Sequence, residues 1–238
     1  MLVLGHRGAS GYAPENTIAA FELGMRQGCH GFEFDVQLSR DGEPVVHHDW
    51  SVARTTGGSG EIRDMTFRKI RTLDAGKWFS PEFRGQKIPA LREVLELVPK
   101  ELLLNVELKS RPSDGPGLEE KTITVLKEHG RLGNTIISSF NHLSLKRSRK
   151  ISPDIRLGLL FEFLPPRPFD YVKNLKLDLY SIHPRHDFVS AALMIEAHDR
   201  GLKTACWTVN TTERAAELLK EGADFVITNY PDRCLGLK

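Results

Sequence analysis

Two carboxylates on one short run are the first residues able to do chemistry. Glu33 and Asp35 alternate with Phe32, Phe34 and Val36 across Gly31–Leu38. A period of two sends both carboxylates to one face of a strand and the apolar side chains to the other. Carboxylates crowded together away from water repel each other and lose solvation, and a divalent cation removes both difficulties. On an antiparallel sheet this spacing marks a solvated face; inside a barrel it marks a metal seat. The run Asn105-Val106-Glu107-Leu108-Lys109 repeats the device, with Glu107 and Lys109 on one face. That pair reads equally as a buried ion pair or as a third metal carboxylate beside a phosphate-binding ammonium. Three carboxylates suit a hard cation such as Mg²⁺ or Ca²⁺ better than zinc.

Histidines supply the second ingredient. His6-Arg7 closes an apolar N-terminal run; imidazole shuttles protons near neutral pH, and guanidinium offers a fixed fork for phosphate or carboxylate. His47-His48-Asp49 follows Val45-Val46. Neighbouring strand residues point oppositely, so one of the two histidines faces the centre, and spacing alone allows either. His183-Pro184-Arg185-His186 and Trp207-Thr208-Val209-Asn210 follow later strands and read as rim segments able to line a pocket. His30, His129, His142 and His198 read as surface residues, and Gly57–Gly60 reads as a turn.

These side chains need a scaffold that gathers strand ends. Short apolar runs recur at Met1–Leu4, Gly31–His47 (taken as one composite strand), Leu102–Leu108, Thr135–Ser139, Arg156–Phe161, Leu179–Ile182, Lys203–Val209 and Phe225–Thr228. Helical periodicity fills the intervals: Thr17–Met25, Leu91–Val98, Leu118–Glu128, Leu143–Lys150, Phe169–Leu175, Val189–Asp199 and a stretch to Gly222 that Asn210 and Glu213 would cap. Alternating strands and helices argue for a parallel sheet. Eight such units in this length give a closed (β/α)8 TIM-type barrel, whose chemistry collects at strand C-terminal ends. An open, doubly wound sheet would carry a glycine-rich nucleotide turn after its first strand; Gly5-His6-Arg7-Gly8 is not one. Ser51–Ile88 breaks the rhythm and reads as an insertion after strand two, inside a single domain spanning residues 1–238.

Composition agrees with one sizeable core. The 238 residues are 40% hydrophobic and 27% charged, with a net charge of +2, so neither disorder nor a basic nucleic-acid binder is indicated. No apolar run reaches bilayer length and none forms a signal-peptide core, so the expectation is a cytoplasmic protein without a membrane span. Cys29, Cys206 and Cys234 are odd in number and dispersed, which fits reduced, buried thiols. The sequence is silent on oligomeric state and compatible with a homo-oligomer.

Taken in order, His6-Arg7-Gly8, Pro14-Glu15-Asn16-Thr17, Glu33-Phe34-Asp35-Val36, Val45-Val46-His47-His48-Asp49, Arg54-Thr55-Thr56, Asp74-Ala75-Gly76-Lys77-Trp78-Phe79, Glu107-Leu108-Lys109, Ser139-Phe140-Asn141, Trp207-Thr208-Val209-Asn210 and Thr228-Asn229-Tyr230-Pro231-Asp232 resemble the glycerophosphodiester phosphodiesterase family over nearly the whole chain. The resemblance implies a TIM-type barrel with a small insertion. It implies a small-molecule glycerophosphodiester substrate, hydrolysed to glycerol 3-phosphate and an alcohol. Carried over, Glu33, Asp35 and Glu107 would bind one divalent ion, Mg²⁺ or Ca²⁺. His6 and His48 would be the general acid and base, His48 rather than His47 standing at the family's His-Asp position. Arg7 and Lys109 would contact phosphate, with Glu15 and Trp207 also at the substrate site. Water or the glycerol 2-hydroxyl would be the first nucleophile. Other readings fare worse. An amidohydrolase would carry a His-x-His pair on strand one, a lipid-cleaving lyase would differ in product, and a non-catalytic phospholigand binder has no need of this full set.

Overall fold

The structure, a computed structural model, describes residues 1–111 and 117–237. Among the described residues nine strands form one sheet: β1 (Leu2–His6), β2 (Gly31–Leu38), β3 (Pro44–Val46), β4 (Leu103–Leu108), β5 (Thr135–Ser139), β6 (Arg156–Phe161), β7 (Ser181–Pro184), β8 (Lys203–Cys206) and β9 (Phe225–Thr228). All but β3 run parallel, and β1 pairs with both β2 and β9, which closes a TIM barrel. Helices lie between the strands, including Ile18–Gln27, Leu91–Leu97, Leu118–Glu128, His142–Ile151, Pro168–Asn174, Ala191–Asp199 and Thr212–Glu221.

The alternation on β2 does what its period requires. Phe32, Phe34 and Val36 join Phe21, Leu91, Val94 and Leu126 in the main core between barrel and helices. Inside the barrel, Leu4, Leu103, Ile136, Ala205, Phe225 and Ile227 form a separate apolar plug. Leu103 shares a strand face with Asn105 and Glu107, so β4 passes from that plug to polar residues toward its C-terminal end. Burying the plug's apolar side chains contributes about 1.5–3 kcal/mol for each large one. Helix ends are set locally: Thr17 accepts from the Ala20 amide, and Gly28 leaves that helix at φ 84°.

Several expectations are corrected. The composite strand Gly31–His47 is two strands, because the chain turns at Ser39–Gly42 and β3 returns antiparallel to β2. Strand one runs on to His6, and β7 runs Ser181–Pro184 instead of Leu179–Ile182, so His183 is a wholly buried strand residue and not part of a rim. Strand β8 ends at Cys206, before Trp207. The cap of Thr212–Glu221 is Thr211, which accepts from the Arg214 amide; Asn210 instead accepts from the Asn229 amide at 3.0 Å. Residues 51–88 carry short helices at Ala53–Thr56 and Phe67–Ile70 and a small core of Val52, Ile62, Met65, Ile70, Ala75 and Ile88 that also takes in Val45. All three cysteines are buried and free. Among the described residues, no helix is long and apolar enough to cross a membrane.

Candidate active site

Strand register assembles the polar cluster. His6 on β1 lies opposite Glu33 on β2, and on the other side Glu33 faces Asn105 and Asp35 faces Glu107 on β4. Residues far apart in the sequence, such as Asp35 and Glu107, therefore meet through backbone pairing alone. Glu33, Asp35 and Glu107 each bring a carboxylate oxygen to within 4.8 Å of the others, and all three are buried. Glu33 Oε2 and Asp35 Oδ1 accept no hydrogen bond. Buried oxygens of this kind ordinarily have partners. An all-carboxylate trio with unsatisfied oxygens is a donor set that fits a hard divalent cation.

Beside the trio opens a cleft of about 240 Å³, lined among others by His6, Arg7, Glu33, His48, Glu107, Lys109 and Trp207. Seven of the nine site residues expected from the sequence thus share one cavity wall. Asp35 sits in the acidic trio, where Lys109 Nζ is 3.8 Å and Arg7 Nε 3.2 Å away. Glu15 does not line the cleft. It holds Arg7 Nη1 at 2.9 Å and is itself gripped by both terminal nitrogens of Arg54 at 2.7 Å.

Both histidines are pinned through Nδ1. His48 Nδ1–H donates to Asp49 Oδ1 at 2.6 Å, and Arg54 holds that carboxylate from behind, Nε to Oδ2 at 2.6 Å. His6 Nδ1 meets Asn229 Oδ1 at 2.6 Å, an oxygen that Ser10 also engages. With Nδ1 as the N–H, the Nε2 lone pair of each ring is its basic site. His6 Nε2 stands 3.6 Å from Glu33. His47 is a structural residue: Nδ1–H donates to Asp49 O at 2.8 Å and Nε2 accepts from the Thr55 hydroxyl at 3.0 Å, fully buried under the 51–88 segment. The turn after β1 is tight. Arg7 adopts φ 56°, a left-handed conformation that costs about 1–3 kcal/mol for a long side chain. Its carbonyl accepts from the Asn16 amide and its amide donates to Glu33 O. The next residue must be glycine, because a Cβ on Gly8 would lie 2.6 Å from Ala20.

Charge in the site is unbalanced. Burial would raise the Asp35 carboxyl, but Arg7 and Lys109 outweigh it and hold the group well below the usual range. Glu33 moves the other way: burial and the neighbouring Asp35 and Glu107 charges push it well above its ordinary value. Burial also raises Glu107 despite Lys109. Burial and the Arg7 charge bring His6 down to about 3, so the ring is neutral at neutral pH. Three carboxylates face two cations, and a further positive charge would let Glu33 ionise.

Sequence reading missed the parts that depend on barrel closure. Asn229 follows the last strand and reaches His6 because β9 pairs with β1. Arg54 stands in the sequence only as part of Arg54-Thr55-Thr56, and its double grip on Asp49 and Glu15 has no signature in local sequence. Asn105 lines the cleft wholly buried, with both side-chain amide atoms unpartnered; a polar residue in an apolar strand was the available signal.

Comparison with known proteins agrees with this geometry. The model of the glycerophosphoryl diester phosphodiesterase family matches residues 6–233. A glycerophosphodiester phosphodiesterase of Caldanaerobacter subterraneus is 42% identical, covering 99% of this chain and 97% of its own length. Another from Bacillus subtilis is 34% identical, covering 98% and 84%. Among solved structures, an Oleispira antarctica phosphodiesterase in complex with the product sn-glycerol-3-phosphate superposes with a TM-score of 0.89 at 34% identity, over 98% of this chain and 95% of that one. With barrel, cleft and matching relatives in agreement, the chain belongs to the glycerophosphoryl diester phosphodiesterase family and is an enzyme of that family.

Proposed function

We propose that this chain hydrolyses glycerophosphodiesters to glycerol 3-phosphate and an alcohol, with Glu33, Asp35 and Glu107 holding one divalent cation, Mg²⁺ or Ca²⁺. The observation that carries the reading is the meeting of unsatisfied carboxylate oxygens with two Nδ1-pinned histidines in one cleft. The product-bound Oleispira relative supports the substrate class. Bound in the trio, the cation would neutralise phosphate charge and polarise a phosphoryl oxygen.

The chain's own residues do the rest. Arg7 and Lys109 bind phosphate oxygens, and Trp207 lines the same cleft. One histidine Nε2 takes a proton from the nucleophile and the other delivers one to the leaving alcohol. Asp49 and Asn229 keep each ring in the tautomer with Nε2 free, and Glu15 orients Arg7. Residues 51–88 form an inserted subdomain whose role is to carry Arg54 to Glu15 and Asp49. Water or the glycerol 2-hydroxyl attacks first; the tethered hydroxyl has the advantage of proximity, and a 2-deoxy substrate turned over at an unchanged rate would rule it out. The direct test is an assay of glycerol 3-phosphate release across choline, ethanolamine, glycerol and inositol diesters, with and without EDTA. Release that EDTA abolishes and Mg²⁺ or Ca²⁺ restores is expected; inertness with every diester and ion sinks the reading.

A further inference from the structure

Among the described residues, the wall of the catalytic cleft takes nothing from Asp74-Ala75-Gly76-Lys77-Trp78-Phe79, and the chemistry above gives this run no part. Its backbone is nevertheless closely fixed. Asp74 Oδ1 accepts from the Gly76 and Lys77 amides at 2.9 and 3.0 Å, and Oδ2 accepts from the Gly85 amide at 2.9 Å. The Ala75 amide donates to the Gln86 carbonyl at 2.8 Å. Position 76 admits no side chain, because a Cβ there would lie 1.8 Å from the Phe83 carbonyl oxygen. The turn delivers one large ring. Trp78 Nε1–H donates to the Ala75 carbonyl at 2.9 Å, and Phe79 meets the indole edge-on at 5.7 Å. Trp78 is still 39% exposed and stands outside the small apolar core of the 51–88 segment. An indole fixed this firmly and left in water is not placed there by burial.

Its neighbour supplies the reason. The N–H donors of a guanidinium all lie in one plane. Two carboxylates occupy the edges of Arg54: Nε and Nη2 donate to Asp49 at 2.6 and 3.0 Å, and Nη1 and Nη2 donate to Glu15 at 2.7 Å each. Those contacts leave the faces of the group to be covered by something else. Arg54 Cζ sits over the Trp78 ring, 5.7 Å from its centroid. The Arg54 side chain is 43% exposed, so water competes for each of these hydrogen bonds. A ring over the cation attracts it and keeps water from that side.

We propose that Trp78 is a positioning residue of the active site: its indole holds the Arg54 guanidinium between Asp49 and Glu15, and so orients His48 through the one carboxylate and Arg7 through the other. The inference rests on the phosphodiesterase reading above. Trp78 touches neither substrate nor reacting atoms, and its whole influence passes through Arg54.

The test compares kcat and KM for choline release from glycerophosphocholine in wild type, Trp78→Ala, Trp78→Leu, Trp78→Phe, Arg54→Gln and the Trp78→Ala, Arg54→Gln double variant. Trp78→Ala and Trp78→Leu should each lower kcat roughly fivefold, the rate equivalent of one cation–π contact at a partly exposed site, with KM little changed. Trp78→Phe keeps a ring and should recover most of the loss. In the Arg54→Gln background Trp78→Ala should cost nothing further, since coupled residues do not add. An unchanged kcat in Trp78→Ala, or the same fivefold loss with Arg54 already gone, overturns the proposal. Trp78→Leu retains apolar cover and decides the matter if the alanine variant does not fold. A second readout needs no turnover: the Arg54 Nε–H resonance, assigned by its absence in Arg54→Gln. It should exchange slowly with water in wild type and Trp78→Phe and faster in Trp78→Ala and Trp78→Leu. A resonance indifferent to Trp78 overturns the proposal. A wild type inert with every diester overturns the phosphodiesterase reading instead, and the resonance then still shows whether the indole holds Arg54.

Discussion

The two sides of the cleft are built on opposite principles. On the β1–β4 side a chain of polar contacts runs from His48 to Asp49, Asp49 to Arg54, Arg54 to Glu15, Glu15 to Arg7 and Arg7 to Asp35, and leaves Glu33 Oε2 and Asp35 Oδ1 open. On the β5–β6 side the wall is apolar, with Phe140 and Phe163 reaching solvent. Phosphoryl chemistry needs charges fixed in advance, since a charged group free to move loses the benefit of preorganisation. The proposed chemistry would therefore lose rate when the charged side varies, whereas the apolar side carries none of the side chains assigned to it.

Substitutions graded by effect probe that contrast. The largest loss is expected on the charged side: replacing Asp35 by Asn leaves Arg7 and Lys109 without their shared counter-charge and should abolish cation-dependent turnover, checked by glycerol 3-phosphate release at saturating cation. His48→Ala should lower kcat by about 10²–10⁴-fold, the usual contribution of a general acid or base. Circular dichroism and cation affinity should be retained; near-wild-type kcat would show the proton-transfer assignment to be wrong. Arg54→Gln touches no cleft atom, and it should cost about 10–100-fold, as loss of a supporting shell does, mainly in kcat. Recovery with Arg54→Lys or added guanidinium would separate positioning from a folding defect, and an unchanged kcat in Arg54→Gln would remove the subdomain's proposed role.

Away from the cleft the effect is on stability and is smaller. Glu119, on helix Leu118–Glu128, accepts from Ser144 and from Arg147 at 2.7 and 2.9 Å, and so joins two neighbouring helices. Burial would raise this carboxyl, but the Arg147 and Ser144 hydrogen bonds outweigh it and lower it. A lowered carboxyl stabilises the fold above its unfolded value, near 4.5, and loses that contribution as pH falls through the folded value. Glu119→Gln should therefore be about 1–3 kcal/mol less stable than wild type at pH 7, with the gap narrowing as pH is lowered from about 5 downward. Urea unfolding at a series of pH values reads this, and a gap independent of pH would contradict it.

The sequence made the barrel and its acidic trio legible because both rest on short-range periodicity. Glu33, Asp35 and Glu107 were readable as inward-facing because Phe32, Phe34 and Val106 had to face helices. The fold-back of β3 was also readable: Asp41-Gly42 is a hairpin signal, and Gly42 does take φ 80°. His47 and His48 could not be separated by spacing, since both follow a strand that ends at Val46; packing against Thr55 assigns His47 to the core. Partners such as Asn229 for His6, 223 residues apart, exist only once the barrel closes. Arg54 likewise joins Glu15 across 39 positions, a pairing with no periodic trace.

The central claim is that one cation, held by the buried trio, makes the charged side work. Calorimetric titration of Mg²⁺, Ca²⁺ or Mn²⁺ into chelator-treated protein, with turnover followed on the same sample, tests it most directly. One ion per chain is expected, with glycerol 3-phosphate release rising along the same binding curve and both signals lost in the Glu33→Gln, Asp35→Asn, Glu107→Gln triple variant. Full turnover in the chelated protein, or undiminished binding in the triple variant, would contradict the account.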